Sequence, residues 1–78
     1  MRTGIGAETA VLGVLVPGGM LTVDQIAQQA QLTNWSARRA VTQLASRGLV
    51  MVTPHRARWS ITPRGRAAWA AKSRRYSA

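Results

Sequence analysis

The chain has 78 residues, enough for one domain with a modest core and no deep substrate pocket. It has no cysteine, one histidine (His55) and two acidic side chains (Glu8 and Asp24); this excludes disulfides, thiolate metal sites, paired-carboxylate chemistry and a histidine-based triad, so no catalytic residue, metal ligand or cofactor is expected and the chain reads as a non-enzyme. Eleven basic residues give a formal net charge of +9, and ten of them lie between Arg38 and Ala78, where no acid occurs; such a surface attracts polyanions, nucleic-acid phosphate first among them.

The first predicted helix runs from about Ile5 to Val16, with Ala7, Ala10, Val11, Val14 and Leu15 recurring at helical spacing to form one buried face. Pro17-Gly18-Gly19 ends it, and Met20-Leu21 reads as a short extended link, a candidate first strand. Thr22-Val23-Asp24-Gln25 has the form of a capping box, with Thr22 as N-cap and Gln25 three residues on. Asp24 falls in the first turn, where the helix dipole favours a negative charge. This second helix is short, buries Val23, Ile26, Ala27 and Ala30, and ends near Gln31.

Leu32-Thr33 forms a tight turn, and Thr33 caps a third helix from about Asn34 to Arg47, with Gly48 as the left-handed residue after it. Ala37, Ala40, Val41 and Leu44 make its core side; Trp35, Arg39, Thr42 and Ser46 lie opposite, flanked by Arg38 and Gln43. Two β-rich runs follow, Leu49 to Thr53 and Arg58 to Thr62, around a loop containing Pro54, His55, Arg56 and Ala57, which is the pattern of a hairpin. Thr62-Pro63 opens a last helix, with Thr as cap and Pro at the first helical position. The domain is placed at residues 5–72, and residues 73–78 are expected to form a basic, frayed tail.

The expected fold is mainly α with a small β-hairpin wing (α+β), in the order helix, short strand, helix, helix, strand, strand, helix. Two short helices joined by Gln31-Leu32-Thr33 form a helix-turn-helix, and the hairpin is its wing. Three stretches carry a closer resemblance: Leu21 to Ala27 at the start of the motif, Leu44 to Val50 where the third helix runs into the wing, and Ile61 to Arg66 where the wing enters the last helix. In that order and spacing the sequence resembles the winged helix-turn-helix family, most closely its MarR-like branch, over roughly Ala7 to Trp69. The resemblance implies a small transcriptional regulator that binds double-stranded DNA. The resemblance is not expected to extend to the long terminal helices that form the dimer and ligand pocket in MarR-like proteins, so dimerisation is expected to use another surface: the first and last helices, with Trp69 and Tyr76.

The physical logic of such a fold selects the contact residues. A helix with its side chains fits the B-DNA major groove, and the third helix presents its N-terminal half, so Thr33, Trp35, Ser36, Arg38, Arg39 and Gln43 are the candidate readers. Arginine matches two guanine acceptors at once, and glutamine does the same for adenine. On the hairpin, His55, Arg56 and Arg58 are placed to reach the minor groove or phosphates. Competing readings exist for each position. A GC-rich genome also enriches arginine and alanine, so the placement of the arginines has to carry the argument. Arg47 suits the C-terminal end of a helix on structural grounds, while Arg64 and Arg66 oppose the dipole of the last one. Trp59 and Trp69 fit a core, and Trp35 has no internal partner on its face. No apolar run is long enough to span a membrane and no signal peptide is evident, so a cytoplasmic, nucleoid-associated location is expected. The rival functions are a winged-helix protein-interaction module and an architectural or recombination-accessory DNA binder.

Overall fold

In the computed structural model, which describes residues 3–54 and 57–77 (side-chain surroundings for 6–54 and 57–71), three helices come first: α1 (Thr3–Leu15), α2 (Val23–Ala30) and α3 (Asn34–Ser46). A hairpin follows, formed by β1 (Val50–Val52) and β2 (Trp59–Ile61), and α4 (Pro63–Ser77) closes the order. This is the mainly helical winged-helix architecture that the sequence pattern predicts. The strands pair antiparallel, with Val50 opposite Ile61 and Val52 opposite Trp59. Leu21 bridges Trp59 through two backbone hydrogen bonds of 3.0 and 2.7 Å, so the link after α1 does serve as a one-residue third strand.

The core lies where α1, α2 and α3 meet. Val11 and Leu15 from α1, Ile26 from α2, and Ala37, Val41 and Leu44 from α3 are essentially sealed from solvent; each large apolar side chain among them contributes about 1.5–3 kcal/mol by its burial. Leu12 is buried as well, whereas Ala7, Ala10 and Val14 are only half-buried, so the inner stripe of α1 is rotated slightly from the predicted one. Trp59, Ile61 and Trp69 pack on the rim of this core.

The helix ends follow the sequence signals closely. The Thr22 hydroxyl accepts from Gln25 N, and the Gln25 side chain accepts from Thr22 N, completing the capping box. Thr33 caps α3 through Ser36 N at 3.1 Å, and Thr62 caps α4 through Gly65 N at 3.0 Å. At the end of α3, Gly48 N donates to Ala45 O and Leu49 N to Leu44 O, with Gly48 at φ 75°; this is the glycine-terminated Schellman arrangement. The end of α2 repeats the bonds, Gln31 N to Gln28 O and Leu32 N to Ala27 O, but with a glutamine in the left-handed position at φ 58°.

One difference concerns the C-terminal segment. The backbone of α4 runs to Ser77, beyond the point where the sequence pattern predicts fraying. No glycine or proline interrupts residues 67–77, and the alanines there favour helix, so the pattern contains no stop signal.

Gly65 is the tightest point of the fold. A Cβ there would lie 2.7 Å from Ile61 Cγ1 and closer still to the Leu49 carbonyl oxygen. The α4 backbone therefore rests directly on the start of the wing. Gly65→Ala is expected to destabilise the protein by about 2 kcal/mol through overpacking, lowering the melting midpoint by roughly 10 °C in a thermal denaturation scan. Gln31→Gly is expected to act in the opposite sense. It relieves a left-handed non-glycine residue at a cost in unfolded-state entropy, for a net gain of about 0.5–1 kcal/mol, read in the same scan.

Candidate nucleic-acid interface

The face of α3 turned away from α1 and α2 is polar and basic. Trp35, Arg38, Arg39, Thr42, Gln43 and Ser46 are exposed along it, and Asn34 and Thr33 stand at its N-terminal end. Five of the predicted contact residues, Thr33, Trp35, Arg38, Arg39 and Gln43, thus share one open surface. Ser36 is half-buried at the edge of that surface and lines a hollow of about 220 Å³ between α1 and α3, together with Ala7, Glu8, Trp35, Arg39, Ala40 and Gln43. Trp35 is 68% exposed, and the Arg39 guanidinium carbon lies over its ring, 5.4 Å from the centroid. The indole does not serve as core; its outward placement is the one the helical spacing predicts.

The remaining predicted positions belong to the hairpin, on a separate element from the α3 group. His55 and Arg56 lie outside the described residues. Arg58 sits at the base of the loop rather than at its tip. Its N–H bonds the Thr53 hydroxyl at 3.2 Å, and its carbonyl accepts from Thr53 N at 2.9 Å. The residue is half-buried, and its Nε is buried without an acceptor.

Several charged groups prove to be structural. Arg47 pairs with Glu8 across α1 and α3. With the two side chains 57% and 25% exposed, such a pair contributes about 1 kcal/mol at most. Asp24 accepts from Asn34 Nδ2 at 2.8 Å and so ties the start of α3 to the first turn of α2. Both acids are therefore engaged; Glu8 borders the outer α3 face across the hollow beside α1 but pairs with Arg47. Arg66, whose position opposes the dipole of its own helix, donates from Nη1 to Val16 O at 2.9 Å and satisfies the C-terminal end of α1. Trp69 packs its ring against α1 beside Gly13, where a Cβ would come 3.0 Å from the ring. Its ring is thus at least partly engaged within its own chain, which leaves less of it for the predicted dimer contact; the Tyr76 side chain lies outside those described.

Thr42 was not among the predicted contacts, yet it lies exposed on the α3 face; Asn34, exposed at the start of the helix, turns its amide to Asp24 of α2. The signal for Asn34 was present: a cap at Thr33 puts it in the first turn, facing the polar start of α2. Thr42 and Ser46 donate their hydroxyls to carbonyls of their own helix, those of Arg38 and Gln43. Their oxygens remain available only as acceptors. Among the described residues no three His, Asp or Glu side chains gather as a metal site, and no helix is long and apolar enough to cross a membrane.

The fold recurs in solved structures. A MarR family transcriptional regulator from Silicibacter pomeroyi superposes with a TM-score of 0.83 at 27% identity, over 92% of this chain and 50% of that one. A second regulator of the same family and organism matches with a TM-score of 0.75 at 28% identity, over 92% of this chain and 55% of that one. BpsR of Bordetella bronchiseptica, whose DNA binding is regulated by 6-hydroxynicotinic acid, matches with a TM-score of 0.76 at 25% identity, over 83% and 49% of the two chains. The chain spans about half the length of these structures. No family model and no curated protein matches the sequence. The neighbours are MarR family regulators, and the chain has their winged helix-turn-helix fold.

The division between structural and outward-facing arginines can be measured without any ligand. Arg66→Ala is expected to lower stability by about 1 kcal/mol, since a charge-assisted bond to a helix end is lost. Arg38→Ala is expected to change it by less than about 0.5 kcal/mol, as befits an exposed surface site. Urea denaturation midpoints of the two variants check both values; equal midpoints would remove the assigned role of Arg66.

Proposed function

We propose that this MarR-like winged helix binds double-stranded DNA in a sequence-dependent manner and acts in transcriptional regulation. The observation that carries this reading is the outer face of α3, which sets Arg38, Arg39, Gln43 and Trp35 on one exposed surface with no acid among them. In this reading α3 lies in the major groove. Arg38, Arg39 and Gln43 address base edges and adjoining phosphates, and Trp35 packs its indole on a thymine methyl or the sugar edge. The backbone amides behind Thr33 and the Ser36 hydroxyl face phosphate at the start of the helix. The hairpin, with His55, Arg56 and Arg58, supplies attraction to the flanking phosphates or the minor groove.

The regulator families among the structural neighbours support the reading, as does the net charge of +9. One winged helix covers a short site, so two copies on a two-fold site are part of the proposal. Their contact would come from the outer surfaces of α1 and α4. A protein working on chromosomal DNA would reside with the nucleoid in the cytoplasm.

Selection of bound sequences from a random duplex pool, followed by titration at two salt concentrations, tests this function. The expected result is an enriched motif with guanine at a fixed position. Arg39→Ala should cost about 1–3 kcal/mol on that motif and relax preference at one base, whereas Arg38→Ala should lower the salt slope by about 0.9 if it neutralises one phosphate. Tight binding without an enriched motif would favour the architectural reading. Absence of binding at low salt would favour a protein-interaction module.

A further inference from the structure

Trp35, Arg39 and Gln43 stand at i, i+4 and i+8 and form a ridge along α3. On one side is the hollow shared with Ala7, Glu8, Ser36 and Ala40; on the other is one lined by Arg38 and Thr42. The ridge therefore stands proud of its surroundings on both flanks. An indole left 68% exposed at its N-terminal end is an unfavourable use of apolar surface unless the ring has a task there.

The task is visible in what holds Arg39. The protein has only two acidic side chains, and both are engaged elsewhere, Glu8 with Arg47 and Asp24 with Asn34. Arg39 has no carboxylate partner among the described residues. Its guanidinium instead lies 5.4 Å from the centroid of the Trp35 ring, within cation–π range. The two kinds of partner differ in consequence. A carboxylate would occupy the in-plane N–H groups, the same ones that a base edge needs. An aromatic face attracts the cation and limits its rotamers while leaving the N–H groups turned away from the ring free.

We infer that Trp35 is a positioning residue for Arg39: its indole holds the guanidinium so that the free N–H fork meets the O6 and N7 acceptors of one guanine in the major groove. This rests on the DNA-binding reading above and adds the group that orients Arg39 and the two acceptors its fork meets. Gln43, on the next turn of the ridge, would then face a neighbouring base pair.

The test uses the duplex selected by the protein, with each guanine replaced in turn by 7-deazaguanine, which lacks the N7 acceptor. Wild type is expected to lose roughly tenfold in affinity at one guanine and little at the others. Arg39→Ala should abolish that discrimination. Trp35→Ala should reduce it about three- to tenfold with an unchanged melting temperature, and the double variant should discriminate no worse than Arg39→Ala alone. Trp35→Phe, which keeps an aromatic face, should restore most of it. The ratio of affinities for the two duplexes cancels any contact that Trp35 itself makes with DNA. Full discrimination retained in Trp35→Ala, or independent effects of the two residues, overturns the inference while leaving DNA binding intact. Failure of wild type to bind any duplex at low salt overturns the DNA-binding reading itself.

Discussion

The close packing of α3 against α1 and α2 is the constraint on which the other features depend. Its inner stripe is made of small and medium residues, with Ala37 and Val41 fully buried and Ala40 and Leu44 nearly so. Alanines at two of the four positions let the neighbouring helices approach closely, and Val41 and Leu44 lock the azimuth. A helix turns 100° per residue, so rotating α3 by one position would carry Arg38 into the interior. An uncompensated buried guanidinium costs several kcal/mol, more than the gain from burying any one aliphatic side chain. The outward placement of the arginines therefore follows from the packing of the alanines. The polar, basic face is the complement of the core face of the same helix.

Charge is distributed on the same principle. Only two acids are present, and each secures a joint between helices: Glu8 joins α1 to Arg47 at the end of α3, and Asp24 joins α2 to Asn34 at its start. Neither pairs with Arg38 or Arg39 on the outer face of α3. The resulting surface repels itself, and any polyanion that binds the folded state relieves that repulsion and stabilises the fold by linkage.

How much of this was legible in the sequence depended on distance along the chain. Caps and stops are local, and Thr22, Thr33, Thr62 and Gly48 all fall where their neighbours implied. The outward position of Trp35 followed from helical spacing alone. Its engagement with Arg39, one turn on, is not legible there, because an i, i+4 spacing permits the stack without requiring it. The interactions that escaped sequence reasoning join remote segments. Arg66 and Val16 are 50 residues apart, and Glu8 and Arg47 are 39 apart. An arginine in the first turn of α4 looks misplaced until the end of α1 is seen beside it. Trp69 fits core or interface equally on sequence, since its neighbour Gly13 offers no side chain to announce a contact.

The wing shows how local and remote constraints combine. Its base is fixed on three sides: Leu21 bonds Trp59 on one edge of β2, the Thr62 hydroxyl and amide bond Gly48 O and Leu49 O, and Val50 is buried in the core. The Thr62–Gly48 bond also sets the hairpin directly against the C-terminal end of α3, so the same residue caps α4, anchors the wing and meets the helix that faces outward. Beyond this base β1 leaves Met51 and Val52 exposed, and the loop is closed by the pair of bonds between Thr53 and Arg58. The contacts of the base join the hairpin to the helices at its root. The root of the wing is thereby tied to the turn that ends α3, so the packing that orients the outer face of α3 also positions the described part of the hairpin.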